Sequence, residues 1–295
     1  MQHNWERNSI IKELQIKGMC KFISTDEAIY NSIDAISQSD LKELKRSPRH
    51  CLVKKNRRLY EDDSSMTPAK LIGKAIHKAF LEKDDFENWF VEKPQEINRR
   101  TKEGKIQYEE FINTNKGRLI LDEKEVKIIN SVREAINGHP LISELFQGGT
   151  AETSLIAKYP YLKSDKILYI KSRLDYWRED MNTIIDLKTT MDAGTKSFQR
   201  DIFKYGYHIQ AAFYCDIVAL VTGRMPNFLI VAVEKSLPFG IKVYKIPKEL
   251  IDIARVQYQE WLDLYTKCYN EGSWPCYSNE ISTVEIPDFL IKDLF

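Results

Sequence analysis

The eight residues TIIDLKTT, at positions 183–190, decide the fold, because they read as a buried strand that carries two charges. Asp186 and Lys188 lie two positions apart among β-branched and apolar residues. Alternate residues of a strand point to the same face, so the carboxylate and the ammonium stand side by side, roughly 6.5 to 7 Å apart along the chain. Two charges on one face of an interior strand need partners from elsewhere in the sequence.

The segment before this strand has the two-residue period of a hairpin partner. Apolar and polar residues alternate in KILYIKSRLDYW, and REDMN then supplies turn residues. A tight turn at residues 180–181 pairs Asp175 with Asp186 and Arg173 with Lys188. The two carboxylates then face each other with Cβ atoms roughly 4.5 to 5.5 Å apart. They repel each other unless a divalent cation lies between them.

A helix earlier in the chain places a histidine outside its apolar stripe. In TPAKLIGKAIHKAFLEK, Thr67 and Pro68 have the preferred order of a helix cap and first residue. Apolar residues recur with helical spacing through 71–80 and predict the buried face. Gly73 and His77 fall beside that face, and the glycine leaves space next to the imidazole.

The remaining elements complete an α/β order. A helix begins in SQSDLKELKRSP, where Ser37 is its cap, Asp40 follows at the third position and Pro48 disturbs its end. A later helix, YGYHIQAAFYCDIVALVTG, puts Gln210 and Tyr214 on one face. Two strands, NFLIVAVEK and GIKVYKI, and a long closing helix follow. The order is helix, three strands, helix, strand, with additions at both ends, and it predicts a single α/β domain with a mixed central sheet flanked by helices.

Composition limits the classes of protein. The chain has 295 residues, 43% of them hydrophobic, and 44 Lys and Arg against 43 Asp and Glu, for a net charge of +1. This balance excludes a histone-like polyelectrolyte but allows local patches. No apolar run approaches the roughly 20 residues of a membrane span, and MQHNWERNSI lacks the apolar region of a signal peptide. We therefore expect a cytoplasmic protein without membrane contact.

One stretch is strongly basic. KRSPRHCLVKKNRRLY, residues 45–60, holds seven Lys and Arg and no acid. Such a run is either a solvated face or a surface that follows a phosphate backbone, and the residues leave both readings open. The candidate DNA contacts here are Lys45, Arg46, Arg49, Lys54, Lys55, Arg57 and Arg58, with Arg173 as a further candidate on the hairpin.

The charges on the hairpin fit the chemistry of phosphodiester cleavage. Mg²⁺ prefers carboxylate oxygens and water, which Asp175 and Asp186 could supply. A metal ion neutralises the phosphate and stabilises the leaving oxygen. Lys188 is placed to orient or deprotonate the water and to stabilise charge that develops on the phosphorus. The alternative is a surface ion pair worth about 0 to 1 kcal/mol, because Asp-x-Lys is a frequent tripeptide.

The ordered set of motifs resembles the PD-(D/E)xK nuclease superfamily and, within it, the RecB-like and RecE-like exonucleases. That pattern is G-x-x-x-H, an aspartate, D-x-K and then Q-x-x-x-Y, and the chain has Gly73 to His77, Asp175, Asp186 to Lys188 and Gln210 to Tyr214 in this order. AISQSDLKELKRSPRH and the late GSWPCYS further resemble the exonuclease VIII type of RecE nuclease domain. The resemblance covers residues 34–278.

The resemblance implies roles for these positions. His77, Asp175 and Asp186 would bind the catalytic metal, with help from the carbonyl of Leu187. Lys188 would act on the water. The remaining implied site residues are Gln210 and Tyr214, which would support the site or touch DNA, and Glu152 as an auxiliary acid. The implied metal is Mg²⁺, with Mn²⁺ as an alternative.

Two departures accompany the match. The proline that names the superfamily is absent before Asp175, and the second acid is Asp186 rather than a glutamate. Some related nucleases also hold an iron–sulfur cluster. Here Cys51, Cys268 and Cys276 supply at most three of its four ligands, so no cluster is expected and the cysteines read as reduced thiols.

The sequence thus predicts three segments and a ranked set of functions. Residues 1–33 form a lead-in, 34–278 the nuclease domain with a mostly helical insertion at 83–140, and 279–295 a tail. The leading hypothesis is a metal-dependent exonuclease that resects linear double-stranded DNA for recombination. The resemblance further implies a phage or prophage setting, a single-strand annealing protein as partner and a homo-oligomer. The alternatives are a restriction or repair endonuclease, an inactive DNA-binding module, and a protein whose hairpin charges are structural.

Overall fold

The central feature of the computed structural model is a twisted mixed sheet, to which seven strands contribute. The structure describes residues 2–23, 27–60, 67–160, 167–284 and 286. The strands are β1 (Met19–Ile23), β2 (Ile36–Ser37), β3 (Phe90–Glu92), β4 (Leu119–Leu121), β5 (Thr150–Lys158), β6 (Tyr169–Arg178), β7 (Thr183–Thr190), β8 (Asn227–Glu234) and β9 (Ile241–Lys245). Strands β3 and β4 form a separate parallel pair, and the others belong to the central sheet.

The strand order places the quoted segment in the interior of the sheet. The order is β1-β5-β6-β7-β8-β9, and the short β2 pairs with β6. Strand β7 is antiparallel to β6 on one side and parallel to β8 on the other. The predicted α/β class with a mixed sheet is confirmed, and so is the order of helix, three strands, helix and strand.

Helices cover both faces of the sheet. They are α1 (Gln2–Lys17), α2 (Glu27–Ser32), α3 (Gln38–Lys42), α4 (Pro48–Tyr60), α5 (Pro68–Leu81), α6 (Phe86–Trp89), α7 (Lys102–Thr114), α8 (Glu123–Asn137), α9 (Pro140–Leu145), α10 (Thr195–Tyr205), α11 (Tyr207–Thr222) and α12 (Lys248–Glu271). Within the described ranges, no helix is both long and apolar enough to cross a membrane.

The capping signals in the sequence correspond to real helix starts. The Thr67 side chain accepts a hydrogen bond from the Lys70 amide at the start of α5. Ser37 and Asp40 form a reciprocal capping box at the start of α3. Pro48 does not itself end helix α3, because a short 3₁₀ turn already follows that helix. The proline occupies the first position of α4, where its missing amide hydrogen costs no hydrogen bond.

The two faces of β7 belong to different apolar clusters. Ile184 packs with residues of α11 and α12, whereas Ile185 and Leu187 pack with Ala75 and Ile76 of α5. Buried residues on both faces explain the nearly continuous apolar reading of this strand. The predicted buried stripe of α5 is therefore confirmed as the layer that faces the sheet.

Residues 2–23, which lie in the predicted lead-in of residues 1–33, form a helix and a strand. Helix α1 precedes β1, which pairs with β5 in antiparallel register from Met19 opposite Ala157 to Ile23 opposite Thr153. Ile10 and Leu14 are buried against Cys20 and Ile156 in a third apolar cluster. The apolar positions of this segment are few, which is why its periodicity is weak.

The segment 83–140 is mostly helical and covers α5, as its sequence pattern indicates. Ile129, Val132 and Ile136 of α8 are buried in the cluster that contains Ala75 and Ile76. The parallel pair of β3 and β4 lies in this segment and has no counterpart in the prediction. Strands of three residues are too short to show a period.

The hairpin has the predicted register. Tyr176 pairs with Ile185 and Arg178 with Thr183 across a turn at residues 179–182. Continued by one position, this register puts Asp175 opposite Asp186, but the ladder ends at Tyr176.

All five cysteines are free thiols, and only Cys276 of the five is exposed.

A buried lysine fastens the N-terminal segment to the sheet. Lys171 of β6 is completely buried and donates hydrogen bonds to the carbonyls of Ile33, at 2.8 Å, and Tyr30. These carbonyls lie at and just beyond the end of α2, where a cation is also favoured by the helix dipole.

Replacement of this lysine tests the arrangement. Lys171→Met removes the ammonium that bonds the carbonyls of Tyr30 and Ile33 and leaves each with a backbone amide as donor, so we expect the free energy of unfolding to fall by about 1 to 3 kcal/mol in urea denaturation. Lys105→Met, on the exposed face of α7, is the matched control and should change stability by less than about 0.5 kcal/mol. Equal stabilities of the two variants would contradict the role assigned to Lys171.

Candidate active site

The candidate site lies where β6 and β7 separate. Beyond Tyr176 and Ile185 the two backbones no longer pair. The amide of Leu187 instead donates to the Asp175 carboxylate, Oδ2, at 2.8 Å. His77 of α5 approaches from the other side, with Nδ1 at 3.6 Å from the same oxygen and a hydrogen bond to the backbone of Leu187. Leu187 thus connects the strand backbone to both side chains.

Three of the predicted residues form a cluster of metal-binding type. Ligand atoms of His77, Glu152 and Asp175 all lie within 4.8 Å of one another. They come from α5, β5 and β6. Glu152, predicted as an auxiliary acid, is therefore as close to the centre as the aspartate.

An unusual backbone conformation places Glu152. Its φ is 53°, in the left-handed region that side chains other than those of Gly, Asn and Asp rarely adopt. Ala151 and Thr153 on either side pair with Tyr176 and Leu174 of β6, and Glu152 between them does not pair. The strand accepts a strained residue at the position where a carboxylate is needed.

Burial and like charge make this cluster electrostatically unfavourable by itself. Burial, with smaller contributions from Asp175 and Glu82, raises the pKa of Glu152 to about 8 against the opposing effect of Arg173. Arg173 Nε lies 2.6 Å from Glu152 Oε2. Burial lowers the pKa of His77, which favours the neutral imidazole that binds metals. A divalent cation would relieve the repulsion among the acids.

Asp186 and Lys188 form a second group beside the cluster. Lys188 Nζ lies 2.6 Å from Asp186 Oδ2, and the Gln210 side-chain amide of α11 donates to Oδ1 at 2.7 Å. Burial and Asp175 raise the pKa of Asp186 to about 7, while Lys188 opposes the shift. The two carboxylates overcome the effect of burial on Lys188 and raise its pKa to about 12. The lysine is therefore a cation.

Two tyrosines of α11 border this second group. Lys188 Nζ lies 5.1 Å from the ring centre of Tyr207, which the sequence motifs do not include. Burial raises the pKa of Tyr214 well above its usual value, and a hydrogen bond with Gln210 acts in the opposite direction. Gln210 thus touches the D-x-K aspartate directly, whereas Tyr214 reaches the site through Gln210.

A cavity of about 320 Å³ opens onto the cluster. Besides Gly73, Arg173 and the three cluster residues, it is lined by Glu27, Lys74, Lys78 and Glu82. The sequence motifs give none of these four a role. Helical spacing carries a signal for those of α5 and its end, since Lys74, Lys78 and Glu82 recur every four residues. Glu27 carries none, because it precedes the hairpin by more than a hundred residues.

The basic stretch divides between surface and interior. The exposed members are Lys45, Arg46, Arg49 and Arg57. Lys54 is half-buried and lies 3.5 Å from Glu43. Lys55 is buried, with Nζ 2.6 Å from Oδ1 of the exposed Asp34, so its predicted DNA contact is wrong: the ammonium forms an ion pair with a carboxylate of its own chain. The side chain of Arg58 is outside the described part of the structure.

The site combines three features: carboxylates at a fork between two strands, a D-x-K strand in a mixed sheet, and a histidine on the covering helix. Together they define a PDDEXK-like α/β domain. The chain belongs to the family described as "PDDEXK-like domain of unknown function (DUF3799)", which matches residues 37–286. Because PDDEXK is a nuclease fold, membership supports nuclease activity, and nucleases of this fold use divalent metals. The resemblance to the PD-(D/E)xK superfamily is confirmed, in agreement with its RecE-like branch.

A solved structure with a similar fold supports this assignment. The crystal structure of a "Putative exonuclease" from Eubacterium rectale has a TM-score of 0.60 and 17% sequence identity, and the match covers 92% of this chain and 98% of that one. A phage related exonuclease from Haemophilus somnus has a TM-score of 0.30 at 16% identity, which is too low to indicate the same fold, over 62% of this chain and 92% of that one. No curated protein matches the chain.

The residues present fit a divalent metal ion. The cluster offers two carboxylates, which suit Mg²⁺ and Mn²⁺, and one imidazole nitrogen, a donor that suits transition metals. The pKa of Glu152, raised by burial and by neighbouring acids, marks an excess of negative charge that a cation would neutralise. His77, Glu152 and Asp175 would hold the ion.

Metal titration tests the cluster. We expect His77→Ala, Glu152→Gln and Asp175→Asn each to weaken Mn²⁺ binding by about tenfold or more in isothermal titration calorimetry, since even partners that only orient ligands cost that much. Asp263→Asn, an exposed acid on α12, is the matched control. Unchanged binding in all three cluster variants would remove the site.

The strained backbone at Glu152 allows a second test. Glycine adopts positive φ without strain, so Glu152→Gly should be more stable than Glu152→Ala by about 1 kcal/mol in urea denaturation, although both lose the carboxylate. The neighbouring pair Thr153→Gly and Thr153→Ala should show the reverse order, because Thr153 is an ordinary strand position. The same order at both positions would refute a left-handed residue 152.

Proposed function

We propose that the protein is a divalent-metal-dependent deoxyribonuclease, and that it acts as an exonuclease on the ends of linear double-stranded DNA. The observation that carries the proposal is the contact of the His77, Glu152 and Asp175 cluster with the strand that bears Asp186 and Lys188. Mg²⁺ or Mn²⁺ bound there would neutralise the phosphate and activate water for attack on phosphorus.

The side chains have distinct roles in this proposal. His77, Glu152 and Asp175 would hold the metal, and the hydrogen bond from the Leu187 amide keeps the Asp175 carboxylate in place. Asp186 adjoins them as a further acid and orients Lys188, whose ammonium stabilises negative charge at the phosphate. Gln210 holds the other oxygen of Asp186. Arg173, beside Glu152, is a cation that can reach the phosphate backbone.

The choice of an exonuclease has two supports. The ordered motifs match RecE-like and RecB-like exonucleases residue by residue, and the E. rectale protein that covers most of this chain carries the name of an exonuclease. With that choice go a role in recombination of phage type, a single-strand annealing protein as partner and a homo-oligomer. The recombination role, the partner and the oligomer depend on the resemblance to these exonucleases. The argument for the metal cluster does not depend on them.

Digestion of labelled DNA separates the alternatives. Linear duplex labelled at the 5′ or the 3′ end, incubated in parallel with Mg²⁺, should lose nucleotides progressively from one end, and EDTA should stop the reaction. Covalently closed circular duplex should stay intact. Cutting of the circle would favour an endonuclease, and binding without hydrolysis in Mg²⁺ or Mn²⁺ would favour an inactive DNA-binding module.

Removal of the site cation tests the role of the D-x-K lysine. We expect Lys188→Met to lower kcat on linear duplex by about 10² to 10³-fold, because the variant has no charge-stabilising donor, with little change in Kd for DNA. Lys105→Met, exposed on α7, should have wild-type kcat. A kcat within twofold of wild type for Lys188→Met would rule out the assigned role.

A further inference from the structure

Three cavities follow one another from the metal cluster across the surface. Glu27 and Arg173 line both the cavity at the cluster and a second one of about 260 Å³, which also contains Ser37 and Tyr214. Gln38 lines the second cavity and a third one of about 140 Å³. The third cavity lies between α3, the α10–α11 corner and α12, and the proposed reaction does not use it.

The third cavity is basic. The lysines Lys42, Lys45 and Lys204 line it together with His208, whose pKa is lowered by burial, and none of its described lining residues is acidic. Glu43 is the acid next to Lys42 in the chain, but it is shared by Arg46 at 3.3 Å and Lys54 at 3.5 Å. Burial lowers the pKa of Lys42, and so do Lys54 and Lys45. Cations that repel one another favour an anionic ligand.

Exposed aromatic rings stand on the same surface. Phe203 is 54% exposed and Tyr205 is 42% exposed at the end of α10. The Tyr205 carbonyl accepts a hydrogen bond from Lys42 Nζ at 2.7 Å, and Lys204 Nζ lies 5.2 Å from the Tyr205 ring centre. Rings held among ammonium groups are the arrangement that stacks nucleobases while neighbouring cations bind phosphates.

The rings also lead back to the candidate site. The ring centres of Tyr205 and Tyr207 are 5.7 Å apart, and Tyr207 contacts Lys188. Two independent routes, the chain of cavities and the pair of tyrosines, thus connect this surface to the D-x-K strand. A nucleic-acid strand that extends from the D-x-K strand along these rings would reach the lysines of the third cavity.

We propose that the surface formed by Lys42, Lys45, Phe203, Lys204, Tyr205 and His208, here called the strand surface, binds single-stranded DNA that continues from the metal site. The proposal rests on the proposed nuclease function, because the cavities begin at the metal cluster. It assigns this surface to one strand of the substrate after the duplex has opened.

A single strand fits the surface better than a duplex does. Bases in a duplex are stacked on one another and offer no free face to Phe203 or Tyr205, whereas unpaired bases do. The lining cations supply charge for phosphates. An acidic peptide would use the cations but leave the exposed rings without a stacking partner.

Oligonucleotide binding tests the proposal. The affinity of the full chain for fluorescein-labelled oligodeoxythymidylate is measured by anisotropy in EDTA, which prevents hydrolysis. Phe203→Ala should bind about tenfold more weakly, as expected when one base can no longer stack. Lys204→Glu should reduce the slope of log K against log salt by about 0.7 for each phosphate that the surface no longer neutralises.

Matched variants control for general effects. Ile106→Ala removes an exposed apolar side chain on α7, and Lys105→Glu reverses an exposed charge on the same helix. Both should bind as wild type does. Circular dichroism shows whether Phe203→Ala and Lys204→Glu fold, and the two variants are independent of each other. Wild-type affinity and salt dependence in both folded variants would overturn the proposal.

Two further outcomes separate this inference from the proposed function. If blunt duplex loses affinity in these variants as strongly as oligodeoxythymidylate does, the surface binds duplex and the proposal of a single strand is overturned. If the wild-type protein hydrolyses labelled DNA but the variants bind oligodeoxythymidylate normally, the inference fails while the nuclease function stands. If the variants lose binding but the wild type hydrolyses nothing, the strand surface stands and the nuclease function fails.

Discussion

The hydrogen bond from the Leu187 amide to the Asp175 carboxylate is the interaction on which the site depends. Strands β6 and β7 pair up to Tyr176 and Ile185, and beyond them a buried amide would lack a partner unless another acceptor replaced the neighbouring strand. A carboxylate takes that place. The fork between the strands is therefore closed by a functional side chain, which fixes Asp175 against the rigid interior of the sheet.

The charged residues of the site form two groups that differ in how far positive charge offsets their carboxylates. Asp186 has a cation from its own strand, Lys188, and accepts a hydrogen bond from Gln210. Glu152 and Asp175 lie beside Arg173 and a neutral histidine, and neighbouring acids repel the charged form of Glu152. The acid of the D-x-K strand thus has a lysine two residues away on its own strand, whereas the acids of the cluster are the ones that a metal ion would neutralise. Burial strengthens both the attraction between Asp186 and Lys188 and the repulsion between Glu152 and Asp175, since water screens neither group well.

The fold and half of the site are readable from periodicity and spacing. The turn at residues 180–181 gives the register of the hairpin, although the strands separate before Asp175 and Asp186 can pair, and helical spacing puts His77 beside the buried stripe of α5. Residues outside such patterns escape prediction. The ion pair of Lys55 with Asp34 requires a contact between α4 and the loop after α2 that no local pattern encodes. The left-handed conformation of Glu152 is likewise imposed by tertiary pairing, since glutamate has no intrinsic preference for it.

The packing of segment 83–140 helps to fix the position of a site residue. Its helix α8 buries Ile129, Val132 and Ile136 against the same cluster as Ala75 and Ile76 of α5, the helix that carries His77. Helix α5 is consequently enclosed between the sheet and this segment. A histidine on such a helix can shift only if two packed layers shift with it. Sequence drift in the segment is therefore free on its solvent face and constrained on the face that sets the position of a metal ligand.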